Sequence, residues 1–304
     1  MEEIIYRAGD SNRITREYLD SLLIETRYIG SELPDTRMEL YGETFSTPIM
    51  TAAFSHLDKI YNCPTGMEDT ARGTYMAGTV MWAGMGEEDE LGRMIATGAR
   101  VIKIIKPYAD EDIIFSQLAD AERLGALAVG MDIDHSFTSN GEYDVIFGNP
   151  MNAKTAEELE RYVSATKLPF IVKGVLSVQD AKAAYQAGVQ GIVVSHHHGI
   201  SDFAVPPLKI IPAIAAEVGA KIPIFVDCGM DSGFDVFKAL ALGASAVCAG
   251  RSILEDLARE GAEGVKKRLV GMTRELAGVM ARTGTKDIRS IDDNVIWSMN
   301  QFHG

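Results

Sequence analysis

The sequence predicts an α/β fold, a (β/α)8 TIM barrel preceded by an N-terminal helical segment. Eight short runs are apolar almost throughout, at 48–54, 78–85, 100–105, 126–132, 169–174, 191–197, 222–229 and 246–250. Strands of a parallel sheet read this way because helices cover both of its faces. Amphipathic stretches of helical period lie between them, at 65–77, 90–97, 112–124, 155–165, 178–187, 208–218 and 233–242. Gly78, Gly125, Gly188 and Gly243 follow four of these stretches, as expected where a helix closes in the left-handed conformation. Pro169 opens the fifth run, a normal strand entry. Eight such units in succession close into a barrel. An open doubly wound sheet would carry a G-x-G-x-x-G loop after its first strand, and none follows Phe54.

No linker, low-complexity tract or charge block divides the 304 residues. The chain therefore reads as one barrel domain, 1–304. Residues 1–47 form its N-terminal segment, and 255–304 supply a final helix, 261–282, and a tail. A content of 46% hydrophobic and 24% charged residues is that of a globular protein. Lys and Arg number 29 against 43 Asp and Glu, for a net charge of −14. Such a surface repels phosphate backbones and anionic lipid, so neither nucleic acid nor membrane is an expected partner. Cys63, Cys228 and Cys248 make neither a disulfide framework nor a Cys-x-x-Cys pair, which fits a reducing, cytoplasmic setting. The first residues lack the basic start and long apolar core of a secretory leader, and no apolar run is long enough to span a bilayer.

Barrel chemistry sits at the C-terminal ends of the strands. Those ends carry Ala52, Ala53 and Phe54, then Ala83, Lys103 and Ile105, Asp132 and Asp134, Lys173, Ser195 to His197, Asp227, Gly250 and Arg251. A titratable group in a buried strand costs free energy unless paired, so four successive strands ending in one point to a functional cluster. Gly229 and Gly250 follow strands seven and eight, where barrels often bind phosphate, and Arg251 can add a charge-assisted contact. Lys173 can face an electron-rich cofactor ring or pair with Asp132 or Asp227. The run His196-His197-His198 ends strand six, where alternation puts His197 on the side opposite its neighbours. Neighbouring histidines on a strand rarely converge on a metal, so no metal site is expected. One histidine acting as base, oriented by a carboxylate, suits the pattern better, with Asp132 as the natural partner.

From Leu168 to Ser252, and more weakly from Pro48 to Arg282, the chain resembles the FMN-dependent 2-hydroxy acid dehydrogenase and oxidase family, which includes glycolate and lactate oxidases. The stretches that carry the resemblance are Lys173-Gly174-Val175-Leu176-Ser177, 187–195, 238–244 and Gly250-Arg251. The resemblance implies an FMN cofactor, a tetrameric homo-oligomer and a small-molecule substrate oxidised at a CH–OH group. It implies that Lys173 lies beside the flavin N1/O2 edge and that Ser195 contacts the ring. Asp227, Gly229, Gly250 and Arg251 would hold the ribityl chain and phosphate, and Ala52, Ala53, Ala83 and Lys103 complete the expected cofactor site. His197 matches the family's base and Asp132 the carboxylate that orients it; a one-residue slip would give the base's place to His198.

The chain departs from the family around the substrate. The carboxylate-gripping Arg is Ile200, a Tyr on strand three is Ile105, and a phosphate-contacting Arg is Asp231. Losing an Arg–carboxylate fork removes about 2–5 kcal/mol of binding where it is buried, so glycolate and lactate themselves are not the expected substrates. Lys106, His196 and His198 join Ile105 and Ile200 as expected substrate contacts. Isomerase or other non-redox chemistry on the same flavin barrel, or a flavin-binding protein without catalysis, are the competing expectations.

Overall fold

The computed structural model describes residues 7–57 and 63–299. Residues 1–6, on which the expectation about a secretory leader rests, lie outside the described residues, as do 58–62 and 300–304. Eight parallel strands carry the fold: β1 (Ile49–Thr51), β2 (Val80–Ala83), β3 (Arg100–Ile105), β4 (Ala128–Asp132), β5 (Phe170–Val175), β6 (Ile192–Val194), β7 (Ile224–Val226) and β8 (Ala246–Ala249). They pair in the order β1-β8-β7-β6-β5-β4-β3-β2. A parallel bridge between Phe54 and Ala83, with Gly84 N–H donating to Phe54 C=O at 2.7 Å, brings the two outer strands together and closes the barrel. The expected barrel is thus the observed one.

The connecting helices are α1 (Gly66–Ala77), α2 (Glu88–Ala96), α3 (Glu111–Leu124), α4 (Ala156–Ser164), α5 (Val178–Gln186), α6 (Pro207–Ile214), α7 (Gly233–Ala241) and α8 (Arg251–Arg282). Local signals set their ends. Thr155 and Glu158 form a capping box on α4, and the hydroxyls of Ser177 and Ser232 cap α5 and α7. Gly78 and Gly125 close α1 and α3 in the left-handed conformation. The last helix begins at Arg251, ten residues before the expected start. Gly261 is a kink within it, at φ 56° and ψ −137°.

The N-terminal segment holds more than helix. After the helix Ser11–Ser21, Leu22–Ile24 pairs antiparallel with Ile296–Ser298, and Met38–Leu40 pairs with Glu43–Phe45 in a hairpin. Met38, Leu40 and Phe45 of this hairpin pack on the barrel's interior cluster at the N-terminal end of the strands.

Strand alternation divides the core into two. Met50, Trp82, Ile102, Ile104, Ile171, Val193, Phe225 and Cys248 fill the barrel, while Val101, Ile105, Val129, Met131, Val172, Val194 and Val226 face the helices. Counting by two from the interior set places Lys106, Asp132, Lys173, Ser195, Asp227 and Gly250 on the inside of the mouth. Ala83, Lys103 and Ile105 fall on the outside.

Trp82 is almost fully buried and meets the Phe225 ring edge-on at 5.1 Å between centroids. Trp82→Ala should cost about 3–5 kcal/mol, read as a lower urea midpoint with the helical circular-dichroism signal retained in native buffer.

Candidate active site

At the centre of the mouth is a buried carboxylate between two ammonium groups. Asp132 Oδ2 accepts from Lys106 Nζ at 2.7 Å, and Lys173 Nζ lies 3.1 Å from Asp132 Oδ1 without hydrogen-bond alignment. Lys173 Nζ is also 3.7 Å from Asp227 Oδ2. Burial alone would raise the Asp132 carboxyl, but Lys173 and Lys106 outweigh it and hold it far below its ordinary range. Burial likewise opposes the Lys173 charge, and Asp132, Asp227 and Asp134 keep this ammonium above its usual value.

Asp132 does not orient the histidine. His197 Nδ1 lies 3.0 and 3.2 Å from the two oxygens of Asp134 and 3.8 Å from Asp132 Oδ1. The expected partner is corrected from Asp132 to Asp134, two residues on, because both oxygens of Asp132 already face lysines. Gly174 makes room for this contact. It sits at φ 92° in a register shift of β5, and a Cβ there would lie 2.4 Å from Asp134 Cγ. Lys173 Nζ also lies 3.2 Å from His197 Nδ1, but this ammonium has the carboxylates of Asp132 and Asp227 beside it, whereas both Asp134 oxygens can only accept; the proton is therefore assigned to His197 Nδ1, and Nε2 presents its lone pair. That Nε2 lies 3.2 Å from His135 Nε2, and the two rings meet edge to face with centroids 4.2 Å apart.

The three histidines are not in a strand. β6 ends at Val194, and His197 and His198 take positive φ of 47° and 57°. Alternation therefore does not govern them, contrary to expectation. Non-glycine residues held there signal strain, which clusters at functional sites. Ser195 Oγ accepts from His197 N–H at 2.9 Å and fixes the turn. His196 is buried away from the cavity: its Nδ1 accepts from Gly199 N–H at 2.9 Å, and its Nε2 bonds Thr15 Oγ1 of the N-terminal helix at 2.8 Å. Burial pushes its pKa down. His198 is exposed and bonds Asn12 Oδ1 through Nδ1 at 2.8 Å.

Other expected contacts lie elsewhere. Lys103 donates to the carbonyls of Gly84 at 2.5 Å and Gly86 at 3.1 Å, pinning the loop after β2, and burial lowers its pKa to about 8. Ile105 packs toward the helices, so Lys106 takes the inward place at the end of β3. Ala83 is buried on that same outer side. Ile200 is 40% exposed and does not line the cavity.

A cavity of about 190 Å3 opens at the mouth, lined by Ala52, Ala53, Lys173, His197, Asp227, Gly229, Gly250 and Arg251 among others. It shares His198, Cys228, Gly229, Asp231 and Arg251 with a neighbouring cavity of about 780 Å3 under the N-terminal helix. Helix α8 starts here without a side-chain cap, and an added Cβ at Gly250 would meet only Ala52 Cβ, at 3.6 Å. The Arg251 guanidinium makes no hydrogen bond or ion pair with any described residue. An open helix N-terminus, a free guanidinium and a clear approach suit a phosphate. Lys173 beside the inner cavity suits the electron-rich edge of a flavin. Asp231 lines the same space and lowers the positive charge available there. Asp132, His135 and His197 also lie close enough to share a cation, but two lysines already compete for the Asp132 carboxylate.

Asp134 stood among the strand-end residues without a role, and the Asp-x-Asp spacing was the signal that could have assigned it. His135 falls one residue beyond the strand-end pattern.

Comparisons with known proteins give the family and the fold. A family model described as FMN-dependent dehydrogenase matches residues 7–156 and 146–298. A 2-hydroxyacid oxidase of Dictyostelium discoideum is 28% identical, covering 98% of this chain and 86% of its own length. Glycolate oxidase 2 of Oryza sativa subsp. indica is 30% identical over 84% of this chain and 79% of its own. A mandelate oxidase variant solved with (S)-mandelic acid superimposes with a TM-score of 0.85 at 26% identity, covering 96% and 90% of the two chains. Another, solved with 2-hydroxy-phenylacetamide, gives 0.84 at 27% identity, with the same coverage. Among the described residues no helix is long and apolar enough to cross a membrane.

The buried anion has a consequence for stability. Asp132 is held low in the fold, so its contribution is complete above its ordinary carboxylate range and is lost as pH falls below it. Asp132→Asn should lose about 3–5 kcal/mol at neutral pH by leaving the buried Lys106 ammonium without its carboxylate and Lys173 with Asp227 as its remaining close carboxylate. Its melting temperature should also fall less steeply on acidification than that of the parent protein, as differential scanning calorimetry across pH will show.

Proposed function

The chain belongs to the FMN-dependent dehydrogenase family, as an FMN-dependent oxidoreductase acting on CH–OH groups, and on that premise we propose how its residues do so and on what. His197 is the base, and the observation that carries this role is its Nδ1 contact with Asp134, which leaves Nε2 as a proton acceptor at the mouth. Asp134 orients the ring and stabilises the imidazolium that forms when Nε2 takes the substrate's hydroxyl proton. Lys173 and Ser195 border the ring position, with Lys173 offering positive charge as electrons arrive. Arg251, Gly229, Gly250 and the start of α8 hold the phosphate. FMN, when bound, supplies the two-electron oxidant.

The substrate is a 2-hydroxy compound bound without an Arg fork on its carboxylate. Lys106 and Lys173 are both committed to Asp132, and Ile200 lies outside the cavity. A larger or less charged 2-hydroxy compound, such as an ester or amide, meets this mouth at lower electrostatic cost than glycolate does. The mandelate oxidase variant with 2-hydroxy-phenylacetamide offers a precedent for a neutral head group on this fold. A homo-oligomer belongs to the same reading, and light scattering reads its mass.

Anaerobic mixing of the FMN-loaded protein with a panel of 2-hydroxy acids, esters and amides tests this. The flavin should bleach faster with the neutral or bulkier members than with glycolate at equal concentration. His197→Gln should slow bleaching about 10²–10⁴-fold. Glycolate as the fastest member would refute the substrate assignment, and a flavin that nothing bleaches would refute the oxidation.

A further inference from the structure

The loop after β4 brings a second imidazole to the base. His135 ends the short 3-10 turn Ile133–His135, and its Nε2 is 3.2 Å from His197 Nε2. Hydrogen-bond accounting fixes both tautomers. His197 Nδ1 lies between Asp134 Oδ1 at 3.0 Å and Lys173 Nζ at 3.2 Å; the ammonium has Asp132 and Asp227 beside it, so the Nδ1 proton goes to Asp134 and Nε2 accepts in the neutral ring. His135 Nδ1 is buried with no hydrogen-bond partner, and Asp144 Oδ2 stands 3.8 Å from it. A proton on Nδ1 would be an orphaned donor, whereas a proton on Nε2 has an acceptor.

We propose that His135 is a second substrate-contacting residue, whose Nε2–H donates to the same oxygen that gives its proton to His197. This assignment rests on the oxidation proposed above. The substrate hydroxyl enters between the two rings, which part by about 1–2 Å to give each a hydrogen bond of ordinary length. The O–H bond breaks and its proton goes to His197 Nε2. The C–H bond breaks and its hydride, carrying two electrons, goes to oxidised FMN. The C=O bond forms, and His135 keeps its N–H on the oxygen while negative charge gathers there. It supplies at this oxygen a donor that neither Ile105 nor Lys106 gives, since one faces the helices and the other is held by Asp132.

The surroundings keep His135 neutral for this task. The charged and titratable groups around it are Lys106, His197, Asp132, Asp134 and Asp144. Burial first, then Lys106 and His197, lowers its pKa to about 4, so at neutral pH the ring carries one proton.

The test uses the FMN-loaded protein in two measurements. Long-range 1H–15N spectra of histidine-labelled protein at neutral pH should show His135 protonated at Nε2 and His197 at Nδ1. A His135 ring protonated at Nδ1 overturns the proposal, and this measurement needs no substrate and no variant. In anaerobic stopped flow with a substrate that bleaches the flavin, His135→Phe should slow reduction about 100-fold, with a smaller change in apparent substrate affinity. His135→Gln, which keeps an N–H donor, should recover at least part of that loss. Equal rates for His135→Phe and the parent overturn the proposal. If no compound bleaches the flavin, the oxidation reading fails, while the spectra still decide the hydrogen bond.

Discussion

A single buried carboxylate organises the mouth of this barrel. With Asp227 as a second carboxylate beside Lys173, Asp132 lies between Lys106 and Lys173 and, ionised, offsets both buried ammonium groups. With both of its oxygens so engaged, the imidazole of His197 turns to the next carboxylate, Asp134. Lys173 is drawn at the same time toward Asp132 and Asp227, which fixes its position beside the cavity. The network is dense, and each member has the partner that makes its charge affordable at that place.

Backbone geometry does the rest. The register shift at Gly174 lets Asp134 approach β5 where any side chain would collide with it. The left-handed turn at His197 and His198 carries the His197 imidazole off the end of β6, to within 3.2 Å of His135. The N-terminal helix secures that turn through Thr15, Asn12 and Ser11, which bond His196, His198 and the 201–204 loop. A segment that precedes the barrel in sequence thus helps to hold its active loop.

The barrel was legible because both faces of its strands are apolar, and the same property hid which face is which. Nothing in Val101-Ile102-Lys103-Ile104-Ile105-Lys106 distinguishes Lys103 from Lys106 until neighbouring strands assign the interior. Lys103 and Ala83, expected among the cofactor contacts, and Ile105, expected at the substrate, fall on the outer side, and Lys106 is the inward lysine. The choice of Asp132 over Asp134 failed for a related reason: the outcome depended on where two lysines from other strands would settle. His197 was legible through the pattern around it, as were Arg251 and the two glycines beside it. The turn conformation of His196 to His198 was not, because positive φ at non-glycine residues leaves no mark in composition. The contact between His135 and His197 was not legible either, because it joins residues 62 apart in sequence.

The chain belongs to the FMN-dependent dehydrogenase family, and at its mouth His197 is paired with Asp134 while Ile105 packs toward the helices and Ile200 lies outside the cavity. A high-resolution crystal structure of the FMN-loaded chain tests the arrangement most directly. The account requires His197 Nδ1 on Asp134, Asp132 held between Lys106 and Lys173, and His197 Nε2 facing the reactive side of the flavin. A structure with His197 seated on Asp132 and Asp134 turned to solvent would contradict it.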